Sequence, residues 1–579
     1  MTGTAHSETL QFRTPGIFDS RPSRRDDTLL LDGNAKRAIE IGRSRLLFGA
    51  AMFTLAFLVI AARLITVSLL SDGAEPRLTM LVPEGAEPER GEIRDRNGVV
   101  LATNLATASL YANPQQVIDV DEAASKISQA LPDVDPIDLL EKLTSDRSFI
   151  WVKRGLTPRQ QEAVNRLGLP GFYFQREERR VYPQGSLTAH VVGFADVDNH
   201  GLAGIEQSFD ETLRQGGRPV TLSIDLRIQN ILREELGKAI ADFTAIGGAA
   251  VLLDIRTGEI LGMVSLPDFD PNEAGTASDE ARFNRNALGV YEMGSTFKIF
   301  NTAMALDAGI VGMNDGFDTR KPIHIGGFTI TDFKPKNRWL SVPEIFMYSS
   351  NIGSAKMAEQ AGTERQQLFM NRLGFLKPVA LELPERGRPI YPSDWKPINT
   401  MTIAYGHGIA VTPLHLISGV AAVVNGGLLR PMTLMKRDSD DPAPGRRIIR
   451  EETSEKMRQL LRLVVQGGTG KFADVAGYIV GGKTGTADKQ KGRGYSENSR
   501  VASFVGAFPM NDPRYAFLIM VDEPKPNEHS HGYATGGWVA APAVHNIVER
   551  MAPLVGLPRV PDTDAEEVND LFITVSAAD

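Results

Sequence analysis

Apolar residues fall along this chain in three patterns. Over residues 46–62 they are almost continuous, LLFGAAMFTLAFLVIAA, with Thr54 the one polar residue. As a helix at about 1.5 Å per residue the stretch spans roughly 25 Å. That length crosses a bilayer if Arg63 snorkels and residues 64–67 extend it. From about 75 to 222 the pattern is mixed and polar. Residues 90–102 predict strand, Asn97-Gly98 turn, strand. Residues 123–131 and 136–143 carry helical spacing, and the charge run 176–183 predicts a solvated strand or loop. Beyond about 220 the apolar blocks lengthen. Residues 220–225 predict a strand, 226–241 an amphipathic helix, 247–255 an apolar strand, and 260–265 its partner across a turn at 256–259. A sheet framed by helices should continue to about 553, with a loose polar end from Pro558.

The expected fold class is therefore α/β, more specifically α+β, with a single transmembrane helix. Five segments follow: a disordered cytoplasmic tail (1–45), a transmembrane anchor (46–70), an elongated mixed pedestal (71–222), a catalytic domain with an antiparallel sheet flanked by helices (223–555), and a C-terminal tail (556–579). Arg24, Arg25, Lys36, Arg37, Arg43 and Arg45 precede the apolar run. They predict an N-terminus kept in the cytoplasm and an exported remainder. The leader before the run is too long for a cleaved signal peptide.

Composition narrows the chemistry. A net charge of -8 argues against a nucleic-acid-binding surface over the whole molecule. The chain has no cysteine, which excludes disulfides, thiol nucleophiles and cysteine metal sites. Its nine histidines form no His-Glu-x-x-His, and His529 and His531 fall in a polar stretch expected to be a solvated loop. No metal and no cofactor is expected.

Candidate chemistry begins at residues 291–300, YEMGSTFKIF. If a helix starts near Ser295, Ser295 and Lys298 lie one turn apart on one face. A serine needs an adjacent base, and a lysine neutralised by burial can serve. The helix start favours a developing alkoxide. A second Ser-x-x-Lys, Ser393 to Lys396, is bracketed by Pro392 and Pro397 and predicts a loop. Ser349 and Asn351 follow a helical run and are expected on a loop between helices, as a hydroxyl that relays a proton and a carboxamide that holds a peptide amide. Ser496 and Asn498 repeat that spacing in a Gly/Arg/Ser-rich stretch expected to be a loop. Residues 478–487, YIVGGKTGTA, predict a strand edge bearing Lys483 and Thr484, where Gly485 removes a side chain so that something can lie against the backbone. The run 467–471 imitates a phosphate loop, but Phe472 stands where Ser or Thr is required. His407 is expected to be structural or to line a pocket.

Ser-x-x-Lys, Ser-x-Asn and Lys-Thr-Gly, in that order, form the motif set of class A β-lactamases and penicillin-binding proteins. With the anchor, residues 90–102, 201–206 (GLAGIE), 251–272 and 405–413 (YGHGIAVTP), nearly the whole chain resembles a class B penicillin-binding protein. Asn351 and the lack of long C-terminal repeat modules make it most similar to the division-specific, FtsI-type transpeptidases. The resemblance implies a periplasmic peptidoglycan D,D-transpeptidase, inhibited by β-lactams. Ser295 would attack the penultimate D-alanine carbonyl and Lys298 would take its proton. The backbone N–H groups of Ser295 and Thr486 would hold the oxyanion, and Ser349 would protonate the departing D-alanine. Asn351 would hold the donor amide, and Lys483 and Thr484 the terminal carboxylate. A diaminopimelate-type amine on a neighbouring stem would accept the acyl group. The implied partners are an FtsW-like glycosyltransferase, small bitopic division proteins and the membrane, docked through the pedestal, which is dimerisation-like in this family. An elongation-type transpeptidase, a membrane-anchored β-lactamase and a penicillin-sensing receptor are the competing readings.

Overall fold

The computed structural model describes residues 32–69, 90–215, 217–438, 441–491 and 494–560. The expectations for residues 1–31 and 561–579 lie outside these. The chain divides into two compact units, residues 1–86 and 87–579.

Among its described residues the first unit holds one helix, α1 (Asp32–Leu69). Within it, Arg43–Ala62 is the one span among the described residues long and apolar enough to cross a membrane. The helix starts well before the expected anchor boundary. Residues 35–45 carry no proline and many good helix formers, so nothing in that part of the expected tail stops the helix.

The second unit opens with β1 (Ile93–Arg94) and β2 (Val100–Ala112), joined by the expected turn. Asp95 Oδ1 accepts from the N–H groups of Asn97 and Val99 at 2.8 Å each, and Gly98 supplies a φ of +87°. Next come α2 (Val120–Ala130) and α3 (Pro136–Leu143), started by the Asp119 and Asp135 side chains, then β3 (Ile150–Leu156), β4 (Phe172–Val181) and β5 (Val220–Thr221). The sheet order is β3-β2-β1-β5, with β4 also paired to β2.

Two expectations change here. The charge run is a strand, as one of its readings held, but it is not wholly solvated: Arg180 and Tyr182 are buried. The strand expected at 220–225 ends after Thr221, because Ser223 and Asp225 turn inward. Ser223 Oγ donates to Ile260 O at 2.7 Å, and Asp225 caps the next helix, α4 (Leu226–Asp242).

The larger sheet takes β6 (Gly247–Asp254), β7 (Ile260–Leu266), β8 (Gly481–Lys491), β9 (Gly494–Phe508) and β10 (Tyr515–Asp522) in the antiparallel order β8-β9-β10-β6-β7. Both its faces are covered, which explains the unbroken apolar runs. Along β6, Ala250 and Leu252 face the core that includes α4 and α9 (Ala541–Met551). Ala249, Val251 and Leu253 face the other core, shared with α5 (Lys298–Asp307), α7 (Pro413–Val424) and α8 (Glu451–Gly467). β8 is an edge strand, and it begins at Gly481 rather than Tyr478. Residues 475–480 form a tight turn instead, with Tyr478 N donating to Val475 O at 3.0 Å. Ser496 and Asn498 lie in β9, not in a loop.

Within the smaller part, the buried carboxylate of Glu206 accepts from two buried arginines. Arg90 Nε reaches it at 2.8 Å and Arg180 Nε at 2.7 Å. Glu385 Oε1 accepts from Gly204 N at 2.9 Å, tying the same corner to the larger part of the unit.

Candidate active site

Ser295 sits in a 3-10 turn, Gly294–Phe297, that feeds directly into α5. Lys298 is therefore the first α-helical residue, three positions on, and its Nζ lies 3.1 Å from Ser295 Oγ. The same nitrogen donates to Ser349 O at 2.6 Å and to Asn351 Oδ1 at 2.8 Å, and it lies 3.0 Å from Ser349 Oγ. The two carbonyl oxygens can only accept. A neutral amine that gives its two hydrogens to them keeps its lone pair for a hydroxyl proton. Lys298 is fully buried, and its pKa lies well below the ordinary lysine value. Burial is the largest cause, the charge of Lys483 adds to it, and Asp332 opposes it.

Ser349 and Asn351 are brought to Lys298 by a sharp turn rather than a slack loop. Ser349 has φ +61°, a left-handed conformation rare outside glycine. Asn351 is the first residue of α6 (Asn351–Ala361), which Ser350 caps through Gly353 N. The Asn351 amide is engaged at both ends, since its Nδ2 donates to Thr331 O at 2.9 Å. Its second N–H and second lone pair are what a ligand could use.

From the opposite wall, Lys483 reaches the same serine: its Nζ lies 3.0 Å from Ser349 Oγ. It too is fully buried, and burial pushes its pKa down to about 7. Thr484 is buried as well, and its Oγ1 shares a 2.6 Å hydrogen bond with Thr469 Oγ1. A Cβ on Gly485 would lie 2.7 Å from Met293 O and 2.8 Å from Thr296 Cγ2, so the Ser295 turn is what packs against the strand. Thr486 is partly exposed, and its Oγ1 accepts from Gly536 N at 3.1 Å. The result is a continuous chain of polar atoms from Ser295 through Lys298 and Ser349 to Lys483, with the serines at the surface and both amines sealed behind them.

Several supporting residues carry no motif. Asp332 bonds the start of α6, Thr469 bonds Thr484, and Gly536 bonds Thr486. Gly406 lies against the Ser295 turn: at φ +83° its Cβ would come within 2.1 Å of Gly294 O. The glycine-rich run around His407 was the one signal for the last of these. His407 itself packs its ring 5.2 Å from that of Tyr405, and burial lowers its pKa against the opposing field of Asp488. Ser393 to Lys396 is irregular and remote from these bonds, with Lys396 paired to Asp394. Lys471 follows a helix end in a short 3-10 turn, not the strand-to-helix loop that cradles phosphate.

Residues 248–549 match the Penicillin binding protein transpeptidase domain, and residues 85–221 match the Penicillin-binding Protein dimerisation domain. The probable peptidoglycan D,D-transpeptidase FtsI of Caulobacter vibrioides is 43% identical over 486 residues, covering 82% of this chain and 82% of that protein. The peptidoglycan D,D-transpeptidase FtsI of Escherichia coli K12 is 31% identical over 543 residues, covering 87% and 90%. The crystal structure of Penicillin binding protein 3 from Mycobacterium tuberculosis, complexed with aztreonam, aligns with a TM-score of 0.66 and 25% identity, over 82% of this chain and 98% of that one. By sequence and by fold alike, the chain belongs to the penicillin-binding protein transpeptidase family.

Proposed function

We propose that this protein is a single-pass inner-membrane peptidoglycan D,D-transpeptidase that cross-links stem peptides during septal wall synthesis, and that β-lactams inhibit it. The observation that carries the reading is the chain of polar contacts at 2.6–3.1 Å that joins Ser295, Lys298, Ser349 and Lys483, with both amines buried.

The reaction runs in two steps. Ser295 Oγ attacks the penultimate D-alanine carbonyl while the Lys298 lone pair takes its proton. The oxyanion forms between the N–H groups of Ser295 and Thr486. As the C–N bond breaks, Ser349 passes a proton to the departing D-alanine and is resupplied through the amines behind it. The amine of a second stem, of diaminopimelate type, then attacks the ester and releases Ser295. Lys483 and Thr484 hold the terminal carboxylate. With its pKa near 7, Lys483 gains charge when an anion binds, because an adjacent negative charge favours the ammonium. Asn351 holds the donor amide, and the open edge of β8 accepts the extended stem as an added strand.

The N-terminus lies in the cytoplasm and the catalytic part in the periplasm, a reading supported by the basic residues that precede the span. Residues 71–222 act as the pedestal and 223–555 as the transpeptidase domain. The pedestal docks an FtsW-like glycosyltransferase and small bitopic division proteins. Mass spectrometry of the protein treated with a penicillin tests the core of this proposal. The adduct should sit on Ser295, and Ser295→Ala should abolish labelling; labelling retained in that variant overturns it. A single burst of penicillin hydrolysis marks the transpeptidase, whereas steady turnover would mark a β-lactamase.

A further inference from the structure

The turn that carries Ser349 is strained, and something must hold it. Lys298 does so from inside the site, through Ser349 O and Asn351 Oδ1. From outside, the holding group is one carboxylate on a separate segment, 17–20 residues earlier in the chain. Asp332 Oδ2 accepts from Ser350 Oγ at 2.8 Å, and its Oδ1 accepts from Ile352 N at 3.0 Å. The neighbouring carbonyl, Thr331 O, takes the Asn351 amide. The residues on both sides of Asn351 are thus fixed to one side chain, at the positive end of α6, where an anion is favoured.

We propose that Asp332 is a positioning residue for acylation, holding Ser349 and Asn351 against Lys298 from outside the groove. It rests on Ser295 as the nucleophile. Ser350 alone could cap α6, and it does so through Gly353 N at 3.0 Å. The carboxylate adds a second anchor on Ile352, together with a negative charge that acts on the buried Lys298 amine. The charged groups around Lys298 are Lys483 from β8, Asp332 from this segment and His407 from the 405–408 turn, with Asp488 facing the histidine. Asp332 favours the ammonium form of Lys298. Removing its charge therefore lets Lys298 lose its proton at lower pH.

The test is the second-order rate of acylation by a fluorescent penicillin, followed across pH for wild type, Asp332→Asn and Ser350→Ala. Folding is checked by thermal melts, and the adduct is located by mass spectrometry. Asp332→Asn should slow acylation on the order of 10-fold or more, as a loosened reacting group does, and should move the acidic limb of the profile to lower pH. Ser350→Ala should slow acylation with the limb unmoved. Wild-type rates in either folded variant, or a slowed Asp332→Asn with an unmoved limb, would overturn the proposal. Were Asp332→Asn not to fold, Asp332→Glu takes its place: acylation should slow with the limb unmoved, and a wild-type rate would overturn the proposal. An adduct found away from Ser295 in wild type would defeat the nucleophile assignment instead, so the two failures remain distinct.

Discussion

Two lysines lie out of reach of water and converge on one hydroxyl. Their depressed pKa values have a consequence for stability with a definite sign. An unfolded Lys483 holds its proton to about pH 10.5, whereas the folded one releases it near 7. Between those values the unfolded state binds more protons, so stability rises with pH across that window. Lys298 acts in the same direction. Lys483→Met should lose part of this rise, visible as a flatter plot of melting temperature against pH, while acylation falls about 10²-fold. Lys298→Arg should put a permanent charge in place of the neutral amine and lose the base, because a guanidinium does not deprotonate; stopped-flow acylation should then drop on the order of 10²–10⁴-fold. The Ser295–Lys298 pair was legible because helical spacing puts such residues side by side. Ser349, Asn351 and Lys483 were legible only as members of a motif set, since no local spacing brings residues 349 and 483 together. Asp332 was not legible. It meets α6 from a different segment, and a lone Thr-Asp at a strand end resembles any turn.

At the scale of elements, the site is an agreement between three backbone segments. The Ser295 turn has Gly294 at φ +53°, where a Cβ would lie 2.6 Å from Thr486 O on β8. Gly406 closes on the same turn from the other side. Gly406→Ala should therefore displace Ser295 and cost about 1–3 kcal/mol in backbone strain. A lower melting temperature and slower penicillin acylation, measured on the same preparation, would register both. The buried strands were readable from their continuous apolar runs, whereas the Asp119 cap was passed over, so the helix expected from 123 begins at Val120. The apolar segments 220–225 and 478–480 misled because apolar content does not distinguish a ladder from a buried turn. Ser223 bonds across to Ile260, and Tyr478 bonds back to Val475, and neither bond leaves a mark on periodicity.

Over the whole molecule, composition and the 46–62 run conveyed the single span, and the motif order conveyed the catalytic part. The polar centre of the smaller part was hidden, because Arg90, Arg180 and Glu206 are separated by up to 116 positions, and so was its tie to the larger part, Gly204 N to Glu385 Oε1, 181 positions apart. Glu206→Ala would leave the buried Arg180 guanidinium with no carboxylate partner and Arg90 with Asp210 alone. Removing one partner from such a cluster costs roughly 3–5 kcal/mol, so urea unfolding should show a midpoint well below wild type, with a second variant, Arg180→Met, milder than the first. The crowding of Gly294, Gly406 and Gly485 has an evolutionary side. Those three backbones leave no room to widen the groove for one visitor without losing the other. A lineage under antibiotic selection is thereby steered to exposed side chains beyond Asp332, such as Lys334 and the Tyr533 ring it covers at 5.1 Å, which can change without moving the nucleophile.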